Sequence, residues 1–85
     1  MDKELEQYYN TYFDLFSSAG WKQYVQDVRD NRAMMSDVLT VKDGNDLFYR
    51  KGVLETLDRI LNFESAIEAA HEEAKDAKIL WFQMR

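Results

Sequence analysis

Apolar residues recur three and four positions apart along most of this chain. Between residues 2 and 17, Leu5, Tyr8, Tyr9, Tyr12, Phe13 and Phe16 follow that spacing, which predicts an α-helix with one apolar face. Asp2, Glu4, Glu6 and Asp14 are left for solvent, and acidic residues in a first turn suit the helix dipole. Ser17-Ser18-Ala19-Gly20 ends this helix, and either serine can cap the next one. A second helix, about residues 20–38, places Trp21, Tyr24, Val25, Val28, Met35 and Val38 on one stripe. Arg29, Asp30, Asn31 and Arg32 interrupt that stripe, which predicts exposure or a kink near the middle.

Thr40 to Asn45 reads as a connection centred on Asp43-Gly44-Asn45. Asp-Gly is also a hairpin signal, so Val38–Lys42 facing Asp46–Tyr49 is an alternative to a plain loop. Asp46 can cap a third helix from Leu47 to Leu61. Leu47, Arg50, Leu54, Leu57 and Leu61 lie along one of its sides, with Val53 and Ile60 beside them. Gly52 inside this helix costs about 1 kcal/mol relative to Ala, which predicts a neighbouring helix in close approach as compensation. Asn62-Phe63-Glu64-Ser65 is a weak break, so the third helix and an Ala-rich fourth (residues 64–78) could also be one long helix. Ile67, Ala70, Ala74 and Ala77 form the narrow apolar face of that segment.

The expected fold is therefore all-α: three or four helices in one domain over residues 1–85, with at most a short hairpin around Asp43-Gly44. The chain has no Pro to interrupt helices, and its five Tyr, five Phe and two Trp argue against disorder. With no Cys there is no disulfide and no thiolate metal site. A net charge of −5 argues against binding to nucleic acid or to anionic membrane surfaces. No run approaches transmembrane length. Met1-Asp2-Lys3-Glu4 lacks the charge-then-apolar order of a signal peptide, so a cytoplasmic location is expected.

Candidate chemistry is sparse. Glu68 and His71 form a Glu-x-x-His pair, the ligand spacing of di-iron carboxylate bundles, but such a site needs two pairs and two further Glu. A single His could supply it only across a dimer. The plainer reading puts Glu68, His71 and Glu72 on a solvated acidic face. Asp43-Gly44-Asn45-Asp46 has calcium-friendly residue types without the alternating ligands and distal Glu of an EF-hand loop, so a turn is the better reading. No nucleophile motif surrounds the His, and no phosphate-cradling glycine spacing occurs. No catalytic residue, cofactor or metal is expected.

The tail is the compositional exception: Ile79, Leu80, Trp81, Phe82 and Met84 gather large apolar side chains at a chain end. They either fold onto this domain's core or dock into a partner, and they are the candidate partner-binding residues. The stripe of the first helix is read as core, with an interface as its alternative.

Two stretches resemble a known group: Ser18-Ala19-Gly20-Trp21-Lys22, and Leu47-Phe48-Tyr49-Arg50-Lys51-Gly52 followed by Leu54, Leu57, Ile60-Leu61 and Phe63-Glu64. A small residue before Trp, then a basic-Gly helix ending in an aliphatic pair, is similar to short acidic helical proteins of tailed bacteriophages. Those proteins are often encoded near packaging and head genes. The resemblance spans residues 18–68, leaves the tail outside, and carries over no catalytic residue. It implies a non-catalytic structural or assembly accessory, in several copies on a larger phage protein or self-associated, located in the virion or host cytoplasm. The alternative is an acidic inhibitor or DNA mimic acting on a host nucleic-acid-processing protein. Against the mimic, the 11 Lys and Arg are interspersed with the 16 acidic residues.

Overall fold

The computed structural model describes residues 2–84, with side chains through Ala77. Among the described residues the chain is all-α: α1 (Lys3–Ser17), α2 (Ala19–Met35), a 3-10 turn (Val38–Thr40), α3 (Gly44–Leu61) and α4 (Phe63–Met84). No helix among the described residues is long and apolar enough to cross a membrane. Contacts group the helices into two compact units, one of α1 with α4 and the other spanning Ala19–Asn62.

In the first unit, Asp2 caps α1 by accepting from the Leu5 amide at 2.8 Å. Ser18 closes α1, its hydroxyl donating to the Leu15 carbonyl at 2.6 Å. The apolar stripes of α1 and α4 meet, with Tyr9, Phe16 and Ile67 buried. Phe63 presents its edge to Tyr12 (ring centroids 5.2 Å) and Phe16 (5.7 Å), a favoured aromatic geometry. Because Phe16 meets the start of α4 while Tyr9 meets His71 further along it, the two helices run antiparallel. Leu5 and Tyr8, on the same predicted stripe, remain exposed.

In the second unit, α2 breaks off at Met35, three residues earlier than the periodicity predicts, and Val38 belongs to the 3-10 turn. The hairpin alternative is not realised: no strand occurs among the described residues, and Asp37 instead caps the 3-10 turn by accepting from the Leu39 amide at 3.0 Å. The cap of α3 is Asp43, which accepts from the Asp46 amide at 2.8 Å, and not Asp46 as expected. Asp46 accepts from the Lys42 amide at 2.9 Å and from Arg50 at 3.2 Å, so its carboxylate is engaged outside the helix end. Gly44 is thereby the first residue of a helix, not the corner of a strand turn. Asn62 alone separates α3 from α4, which settles the one-helix-or-two alternative in favour of two.

Register explains which residues of α3 are covered. Arg32, near the end of α2, pairs with Asp58 at 2.6 Å, far along α3, while Arg50 reaches back to Thr40. The second half of α3 therefore lies beside α2, where Val28 and Leu57 are buried. In its first half Leu47, Phe48 and Tyr49 are exposed.

Candidate functional site

The first half of α3 and the connection before it carry a large share of the exposed apolar surface. Leu39 is 92% exposed, Phe48 71% and Tyr49 65%. Val38 and Leu47 are exposed in the same segment, and Met34 is exposed at the end of α2. Sequence periodicity did not single these residues out, because Phe48 and Tyr49 lie off the leucine stripe. The available signal was the apolar triplet Leu47-Phe48-Tyr49, which one helix face cannot bury.

The segment is held by polar contacts rather than by a core. Arg50, with a side chain 14% exposed, donates from Nη1 to Thr40 Oγ1 at 2.7 Å and from Nη2 to the Thr40 carbonyl at 3.0 Å. Its Nη1 also approaches the Asp37 carbonyl at 3.4 Å. Thr40 Oγ1 in turn donates to that carbonyl at 2.8 Å. The fork geometry of the guanidinium suits it to gathering several acceptors along one short stretch. The hydrogen bond from the Lys42 amide, together with Arg50, lowers the Asp46 carboxyl below its ordinary 3.8.

Along the outward side of α3, Tyr49, Gly52, Val53, Thr56 and Leu57 line an open groove of about 350 Å³. The expectation that Gly52 admits a neighbouring helix of the same chain is not met. A Cβ built there would find nothing within 4 Å. The backbone of α3 at Gly52 faces open space.

His71 departs from its expected place. The imidazole is not on a solvated face: its side chain is 17% exposed, and its ring lies 5.0 Å from both Tyr9 and Phe13. It falls four residues after Ile67 and three before Ala74, the same helical face, and that spacing was the signal for core. Glu68 and Glu72 are exposed beside it, and Glu72 stands 4.0 Å from Nδ1. Among the described residues no group of three or more His, Asp or Glu is placed to hold a metal ion. The side chains of Ile79, Leu80, Trp81, Phe82 and Met84 lie outside the described residues.

Comparison with protein families, with curated proteins and with solved structures gives no match.

Proposed function

We propose that this chain is a non-catalytic accessory or assembly protein that acts through protein–protein contacts. The bacteriophage setting, with a larger virion component as partner, comes from the resemblance of residues 18–68. One observation carries the contact reading: Leu39, on the connection that Arg50 holds, and Phe48 and Tyr49, in the first half of α3, are each left in water. Large apolar side chains left exposed on ordered backbone are a surface suited to a partner. Apolar docking also fits better than phosphate mimicry. Three acidic side chains here are met by cations within the chain, in Arg32–Asp58, Arg50–Asp46 and Lys75–Glu72.

The test is capture of partners from infected or expressing cells, comparing the native chain with Leu39→Ser and Phe48→Ser. Capture should persist in moderate salt and weaken in both variants. Capture that ignores both substitutions, or that duplex DNA competes away, would sink this reading and favour the DNA mimic.

A further inference from the structure

We infer that the outward face of α3 pairs with the same face of a second copy, antiparallel, about a two-fold axis near Val53. This rests on the contact reading above and names its surface and occupant. At 3.6 residues per turn, Phe48, Gly52, Glu55 and Arg59 fall along one strip of α3, with Lys51 on its margin and Tyr49 and Thr56 across from it. All seven are exposed, whereas Leu54 and Leu61 are half-buried and Leu57 is buried at the floor of the groove.

Two observations select a second copy as the occupant. The first is charge. Lys51, Glu55 and Arg59 make no ion pair among the described residues, so all three are available. Lys51 lies two residues before Val53 and Glu55 two after it, on the same flank. A two-fold axis at Val53 therefore sets Lys51 of each copy level with Glu55 of the other, twice over. A parallel pair would instead oppose Lys51 to Lys51 and Glu55 to Glu55. The same symmetry brings Phe48 within about one residue's rise, ~1.5 Å, of the level of Arg59 of the other copy, where a ring can take a guanidinium on its face.

The second is Gly52. Its own fold does not require it, since a side chain there would meet nothing within 4 Å. A glycine in a helix interior is costly, and close approach of another backbone is what such a residue permits. The groove beside it lies across the proposed axis, so Tyr49 of each copy can rest against Thr56 of the other. A patch that matches itself under a two-fold rotation is the requirement for an isologous dimer.

Sedimentation equilibrium of the full chain, from micromolar to millimolar concentration, tests the pairing, with circular dichroism to confirm that each variant is helical. The native chain should dimerise. Lys51→Glu and Glu55→Lys should each weaken dimerisation about tenfold or more, and the double swap should restore it. Gly52→Ala should raise helix stability while weakening the dimer, because it improves the isolated helix and obstructs the contact. A dimer indifferent to these four variants uses another surface, and the pairing is overturned. A chain that stays monomeric yet captures another protein through Leu39 and Phe48 also overturns it, while the contact reading stands. A chain that does neither removes both.

Discussion

Replacing Arg50 with Ala should loosen the connection that carries Leu39 and destabilise the α2–α3 unit by about 2 kcal/mol. The figure follows from the contacts. Two hydrogen bonds to Thr40, at 2.7 and 3.0 Å, have good length, and each contributes roughly 0.5–1.5 kcal/mol net. The 3.4 Å approach to the Asp37 carbonyl is near the limit of a hydrogen bond and adds little. The pair with Asp46 is set aside, since ion pairs that water can reach contribute little. Arg50→Lys should recover less than half of the loss, because one ammonium cannot reproduce the fork. Urea unfolding followed by circular dichroism reads the stability, and amide exchange at Leu39 and Val41 reads the connection. Arg50→Ala within about 0.5 kcal/mol of the native chain, the range of ordinary surface substitutions, with unchanged exchange, would refute the clamp.

Phe63→Ala should cost about 2–3 kcal/mol, below the full core range because the ring is only half-buried, and double-mutant cycles with Phe16→Ala should show coupling; additive losses would refute the edge-on contact. Asp46 has a folded pKa held below its ordinary 3.8, so its contribution to stability is present above that value and is lost as pH falls through the lower one. Asp46→Asn should therefore flatten the acid limb of stability against pH, and an unchanged limb would refute this. His71→Ala should act through lost packing with Tyr9 and Phe13, and elemental analysis should find no stoichiometric iron or zinc; metal present in the native chain and lost in the variant would overturn that. If the tail also docks into a partner, deleting residues 79–85 should leave most helicity intact while weakening capture, and Trp81→Ala should reproduce much of that loss. If the truncated chain unfolds, the tail is core; if it binds normally, it is no interface.

Helix content was legible in the sequence because amphipathic spacing is a local property that survives without knowledge of partners. The stripe of α1 and the narrow Ala-rich face of α4 follow from residues within two turns of one another. Asp43 and Asp46 were still sorted locally: the Lys42 amide and Arg50, each four residues away, engage Asp46 and leave Asp43 to start α3. Where two local solutions competed at His71, tertiary contacts chose. His71 fits both an acidic face and the Ile67–Ala74 stripe, and the rings of Tyr9 and Phe13 across the α1–α4 pair decided for the stripe. Phe48 and Tyr49 lie off the leucine stripe, and the tertiary structure leaves them exposed, since spacing within α3 does not say what covers its other sides. Gly52 announced a cost from sequence alone. Only the folded chain revealed that a side chain there would meet nothing within 4 Å among the described residues, because close approach is a relation between helices and not a property of one.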